Sequence, residues 1–405
     1  MKKKLLLTKN FIPKKFLDKI LIKKLSEKFQ KIIINIFNEV IEEKKVLNIL
    51  NDQFKFNFKT EDLKKFKKFK TIVIIGMGGS ILGAEAINNF LKKKIKKKLY
   101  FFDDLDAEKI LEFKKNNQFK KVLFLIISKS GNTIETLSNL FSLKIIKKKA
   151  KNIILIAEKN NNPLVELSKK FNLFYIEHKN YIGGRYSVFS EAGIIPALLM
   201  GLNITKFRSN ITMFLKNKEK LFLKDSSIKL ACLLDSNKIN TLVFLNYSPE
   251  LNKFLYWCQQ LIAESLGKKG KGFLPMISNA PKDHHSLLQL YLDGPKDKLF
   301  HIFSIEKKIK QKINVKKYTD KKNFLHNKTI EKIKNAQRKS LIKAFNKNRI
   351  PFREFKIKQI DEVVLGELFS YFILETVIVG KLININPFDQ PAVEQVKTFT
   401  KKMLS

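Results

Sequence analysis

The sequence predicts an α/β protein with two doubly wound parallel sheets and helical segments at either end. Three observations carry this reading. Short apolar runs at 71–75, 99–102, 122–127, 152–157 and 173–176 alternate with stretches of helical spacing, the pattern of βαβ units in a parallel sheet. The run at 122–127, Val-Leu-Phe-Leu-Ile-Ile, is apolar at every position, as a strand covered on both faces requires. A second set of runs, interrupted by lysine, follows at 241–245, 298–305 and 353–357.

Around these sheets the chain reads in order. Residues 1–70 place Phe16, Ile20, Leu21, Leu25 and Phe29 at helical spacing and read as helices. Gly183 and Gly184 mark a break before an apolar helix near 194–202. Residues 358–383 read as a long apolar helix ending at Gly380, and a proline-bounded turn at 386–391 leads into a last helix. The expected division is a helical extension over 1–65, α/β domains over 66–205 and 206–383, and a turn with a helix over 384–405. No internal repeat is visible in the sequence.

Composition narrows the function. The net charge of +43 suggests nucleic acid, but only Arg185, Arg208, Arg338, Arg349 and Arg353 among the 80 basic residues are arginine. Base and phosphate recognition leans on the arginine fork. The lysines are instead spread along the whole chain with Asn, Ile and Phe, as mutational bias toward A/T-rich codons would leave them. No specific nucleic-acid partner is expected, although the charge favours anionic substrates. Cys232 and Cys258 offer neither a disulfide framework nor a metal site, and suit a reducing compartment. No apolar run reaches the ~18 residues of a bilayer span, and the start MKKKLLLTKNF is too short in apolar length for a signal peptide. A soluble cytoplasmic protein without membrane contact is expected.

Two strand-end loops hold candidate ligand groups. After the 122–127 run, Ser128-Lys129-Ser130-Gly131-Asn132-Thr133 precedes a helix. Its first-turn N–H groups lack intrahelical partners and favour an anion. An ordinary helix cap with turn residues explains the same local pattern. After the 71–75 run, Gly76-Met77-Gly78-Gly79-Ser80 lets backbone approach a ligand but misses the dinucleotide fingerprint. Both loops would lie at the carboxyl edge of one sheet, where a ligand crevice opens.

GMGGS-x-LG, SKSGNT-x-ET, GGRYSVFSEAG, AESLGK and NPFDQPAVEQVK follow one another between residues 76 and 397. Each alone is weak. Together, in this order, they resemble the glucose-6-phosphate isomerase (phosphoglucose isomerase) family. The resemblance implies two sugar-isomerase domains, which are flavodoxin-like three-layer αβα units. It also implies interconversion of glucose 6-phosphate and fructose 6-phosphate in glycolysis and gluconeogenesis, without metal or cofactor. The expected partners are a small-molecule sugar phosphate and a second copy of the chain.

Site roles follow from the same resemblance. Aldose–ketose isomerisation moves a proton between adjacent carbons through a cis-enediol, and one carboxylate can do this. The matching residue is Glu264, although a surface glutamate on a helix would look the same in isolation. Arg185 would stabilise the enediolate charge, and its rarity in this lysine-rich chain suggests that its geometry is needed. His285 would open the sugar ring, lent across a homodimer interface. His284 is its rival by one residue. The register rests on counting back four from Gln289, on a helix starting near Pro281. Lys397 would assist ring opening, Gln390 would face the sugar, and Gly79 and Ser80 would contact it. Ser128, Ser130 and Thr133 would hold the phosphate, with Lys129 acting through its backbone N–H. The chain departs from the family pattern at Asp283-His284, where Gly-Gln is usual, and at Ala392, where glycine is usual.

Three other readings compete. A bifunctional phosphoglucose/phosphomannose isomerase shares the two strand-end loops. A non-catalytic sugar-phosphate sensor needs only the phosphate loop. A basic nucleic-acid binder would show steep salt dependence and no ligand preference.

Overall fold

The computed structural model describes residues 5–315, 318 and 323–404. Its strands are β1 (Leu5–Phe11), β2 (Thr71–Gly76), β3 (Lys98–Phe102), β4 (Val122–Ile127) and β5 (Ile153–Ala157). They continue as β6 (Phe174–Glu177), β7 (Thr241–Asn246), β8 (Leu274–Asn279), β9 (Lys298–Ile305) and β10 (Phe352–Ile357). Two five-stranded sheets result, ordered β3-β2-β4-β5-β6 and β1-β10-β9-β7-β8. The first is parallel throughout, and the second is parallel except where β1 pairs antiparallel with β10. In β4 every residue is buried, which accounts for its unbroken apolar run.

Three expectations need correction. Residues 5–11 are strand rather than helix, because the outer backbone edge of β10 would otherwise be unpaired and β1 covers it. Residues 1–4 of the same stretch lie outside the described residues. The strand β8 was not anticipated. Pro275 interrupts it, as an edge strand tolerates, and β8 closes one end of its sheet. Third, Glu362–Leu382 is long and apolar enough to cross a membrane, contrary to the apolar-run count. Yet 94% of its apolar window is buried, as in a core helix. It packs against the helices Asn217–Asp235, Asn252–Leu266 and Ile204–Arg208. A side chain at Gly366 would lie 2.0 Å from the Phe207 carbonyl oxygen, so only glycine allows that approach.

Helix Asn252–Leu266, which crosses from β7 to β8, packs on helix Leu82–Leu91 from the first half. Phe254 and Trp257 turn inward onto Phe369, with the Trp257 and Phe369 rings edge to face at 4.6 Å. This buried face fixes the rotation of the helix and leaves Glu264, near its end, partly open toward the first sheet's loops.

Candidate active site

The loop after β4 departs from an ordinary cap. Thr133 is the N-cap residue of helix Ile134–Leu143, yet its side chain makes no capping hydrogen bond. Its hydroxyl is instead 2.8 Å from the Ser128 hydroxyl. Gly131 has φ +67°, and a Cβ there would lie 1.9 Å from Asn162 Oδ1. Glycine is required on both counts. The Lys129 ammonium turns to Glu158 at 3.4 Å, so its side chain is directed to that carboxylate rather than across the loop. Ser130 donates to Asn132 Oδ1 at 2.7 Å.

This loop lies beside the Gly78–Ser80 turn because Gly76 and Ile127 are register partners on β2 and β4. The turn is pressed against other elements. A Cβ on Gly79 would sit 2.1 Å from the Gly184 carbonyl carbon, and one on Gly78 2.8 Å from Gln260 Nε2. The Ser187 hydroxyl also donates to the Gly79 carbonyl at 3.1 Å. The glycines thus bring the first sheet's loop against both the Gly184–Phe189 turn and the Asn252–Leu266 helix.

Arg185 is the hub. It is buried, and every nitrogen of its fork has a partner. Nε donates to the Ser265 hydroxyl at 2.8 Å, and Nη1 donates to Glu264 Oε2 at 3.2 Å and to Gln390 Oε1 at 2.9 Å. Nη2 donates to the Pro387 and Asp389 carbonyls at 2.7 and 2.9 Å. Only a guanidinium can do this, which explains arginine among so many lysines. The second oxygen of Glu264 accepts from Gln260 Nε2 at 2.9 Å. The carboxylate is therefore held from both sides while its side chain stays 29% exposed, open to a reactant.

Four supporting residues were given no role in the sequence reading. Tyr186 donates to the Pro387 carbonyl at 2.9 Å and is 2.8 Å from the Ser265 hydroxyl. Lys268 donates to the Asn386 carbonyl at 2.5 Å and pairs with Asp389 at 2.8 Å, holding that carboxyl below its usual range. Ser265 and Gln260 complete the set. Tyr186, Ser265 and Lys268 sit inside the quoted motifs, so their signal was present without its meaning. Ala392 is not among the positive-φ residues, so the turn takes alanine in place of glycine.

Two expected residues stand apart. Lys397 lies on the exposed helix Glu394–Leu404 and pairs with Glu394 at 2.6 Å, with no contact to Glu264 or Arg185. His285 is exposed beyond β8. Pro281 does not open a continuous helix: a 3-10 turn at Lys282–His284 is followed by helix Leu288–Asp293. The shared-face premise for His285 and Gln289 is therefore lost. His284 is half-buried and bonded to the Tyr247 hydroxyl at 2.8 Å, and burial and His285 lower its pKa. Two large cavities, of about 580 and 590 Å³, lie away from Glu264. The hydrogen-bonding geometry, rather than cavity size, marks the candidate site. No group of three metal-binding side chains occurs among the described residues.

Fold and site together define a two-sheet α/β protein of the sugar-isomerase type. The family model described as phosphoglucose isomerase matches residues 20–405, and the chain belongs to that family. It is 32% identical to the probable glucose-6-phosphate isomerase of Methanococcus maripaludis, over 91% of this chain and 87% of the relative. It is 30% identical to the glucose-6-phosphate isomerase of Mycoplasmopsis synoviae, over 92% and 93%. Among solved structures, a hypothetical protein from Thermus thermophilus aligns with a TM-score of 0.81 at 23% identity, covering 95% of this chain and 96% of that one. A glucose-6-phosphate isomerase from Chlamydia trachomatis aligns with a TM-score of 0.70 at 19% identity, over 85% and 71%.

Proposed function

We propose that the chain interconverts glucose 6-phosphate and fructose 6-phosphate, with Glu264 moving the proton. Membership of the family makes it an aldose–ketose isomerase of carbohydrate metabolism. The observation that carries the site reading is the Glu264 carboxylate held between Arg185 and Gln260. On this reading the phosphate lies on Ser128, Ser130 and Thr133, the Lys129 N–H and the helix turn behind them, while Gly79 and Ser80 line the sugar. Glu264 takes the C2 proton of the open-chain aldose, giving a cis-enediolate, and returns it to C1, while the O2 hydroxyl proton passes to O1, to give the ketose. Arg185 stabilises the developing enediolate charge, and Gln390, already bonded to it, faces the sugar. A coupled assay with fructose 6-phosphate tests this, and mannose 6-phosphate run in parallel tests the bifunctional alternative, which the relatives' names do not favour.

Ring opening falls to His285 and Lys397. Both side chains lie on exposed elements. We assign His285 to the site of a second copy, supported by the apolar groove beside His284, lined by Leu288, Leu292, Phe324 and Leu341. Lys397 acts with its helix docked, supported by the exposed Val396, Phe399 and Met403 on that helix. A cytoplasmic location fits the two buried, unpaired cysteines.

A further inference from the structure

The second sheet repeats the first one's arrangement without any visible sequence repeat. In the first, β2 lies between β3 and β4, and the loops after β2 and β4 carry the candidate site. In the second, β7 lies between β8 and β9, all parallel. The carboxyl ends of β7 and β9 are therefore the equivalent switch point, where ligands of open α/β sheets bind.

A cavity of about 590 Å³ opens at that point, lined among others by Tyr247 and Ser248 after β7 and by Glu306, Lys307 and Lys308 after β9. Helix Ile330–Lys347 adds Lys332, Lys334, Asn335 and Arg338, and the end of β10 adds Lys356 and Lys358. Seven cations thus face two carboxylates, Glu306 and Glu331. Several are already matched: Lys307 to Glu250 at 2.6 Å, Lys334 to Glu331 at 3.0 Å, Lys356 to Glu306 and Arg338 to Glu354. Lys308 and Lys332 form no salt bridge among the described residues, and Lys358 feels only the charge of Glu306, which Lys356 already pairs. Ser304, also lining the cavity, is 9% exposed, and its hydroxyl is buried without a hydrogen-bond partner among them. Surface lysines alone would mean little in a chain of charge +43. Here they converge on a concave strand-end crevice with an unused buried hydroxyl.

We propose that this crevice is a second anion site, taking a small phosphate-bearing molecule. The inference does not depend on the isomerase reading. None of the lining residues belongs to the candidate active site, although Tyr247 bonds to His284.

The test is calorimetric titration of the full chain with inorganic pyrophosphate at physiological salt, and separately with ADP. All proteins carry Ser128→Ala and Thr133→Ala, which removes two hydroxyls from the other phosphate loop. Lys332→Ala/Lys358→Ala is compared with Lys23→Ala/Lys31→Ala, exposed lysines on helix Lys19–Ile41. The crevice pair should weaken pyrophosphate binding about tenfold or more, as loss of charge-assisted hydrogen bonds implies. The control pair should change it about twofold at most, which is the size of a screened long-range charge effect. Tighter binding of ADP would mean that the cavity also holds the nucleoside, and equal binding that the phosphate groups alone are read. Equal weakening by both lysine pairs, or no saturable binding of either probe, would overturn the proposal. Because turnover is not read, failure here leaves the isomerase reading untouched.

Discussion

Arg185 Nη1 donates to Glu264 across 3.2 Å and also to Gln390, while Nε and Nη2 hold Ser265 and the carbonyls of Pro387 and Asp389. One buried side chain thus positions the proposed base and ties down the turn that precedes the last helix.

Arg185→Lys should therefore cost both activity and stability. A lysine has three donors on one nitrogen and cannot span these five acceptors. The Pro387 carbonyl keeps the Tyr186 hydroxyl, but the Asp389 carbonyl loses its Arg185 donor, and a buried acceptor left unpaired costs about 1–3 kcal/mol. We expect turnover to fall by about 10²-fold or more, as for loss of an oxyanion donor, together with a lower melting temperature. Calorimetry and the isomerase assay on the same sample check this. A variant with unchanged stability would mean that Arg185 does not hold the turn.

Ser128→Ala and Thr133→Ala should raise KM for fructose 6-phosphate more than they lower kcat. Each removes a hydroxyl that can bond a charged phosphate, an interaction worth roughly 1.5–3 kcal/mol. An unmoved KM in both variants would place the phosphate elsewhere.

The assignment of His285 to a second copy predicts complementation. Glu264→Gln and His285→Ala chains, each inactive alone, should recover activity when unfolded and refolded together. In a mixed two-fold dimer one site carries both defects and the other neither, so random mixing restores about a quarter of wild-type sites. The same experiment with His284→Ala separates the two histidines. Absence of recovery would mean that His285 acts within its own chain or not at all.

Acid should weaken the fold through His178. Burial pushes this histidine down to about 4, against roughly 6.5 in an unfolded chain. Between those values the unfolded chain binds a proton that the folded one refuses. Its contribution is complete above about pH 6.5 and is lost as pH falls toward 4, by up to about 3 kcal/mol. Buried Glu85 and Glu191, whose carboxyls burial raises, act in the opposite direction. Urea unfolding of wild type and His178→Gln across this range isolates the term. The stability difference between them should shrink on acidification, and a constant difference would contradict it.

Much of this was legible in the sequence. The strands β2 and β4 announce themselves by apolar residues that parallel strands need on both faces. Arg185 stood out by rarity, and the structure shows why arginine is required. Other features were illegible for physical reasons. β8 is a proline-containing edge strand ending in Ser278 and Asn279, without a clear period. β1 owes its conformation to β10, more than 300 residues away. Among the supports of the proposed base, Tyr186 and Lys268 bond to a turn at 386–389 that only the fold brings to them, and Ser265 holds Arg185 and Tyr186. Lys397 could not be told from its many lysine neighbours without a motif, and its helix is not packed on the site.

The central claim is that the Glu264 carboxylate moves the proton. Glu264→Gln preserves the shape and an oxygen to accept from Arg185, so the fold and substrate binding should persist. Its rate with fructose 6-phosphate, measured in a coupled assay beside wild type, should fall by at least ~10²-fold. Retention of more than about a tenth of the wild-type rate would exclude Glu264 as the base.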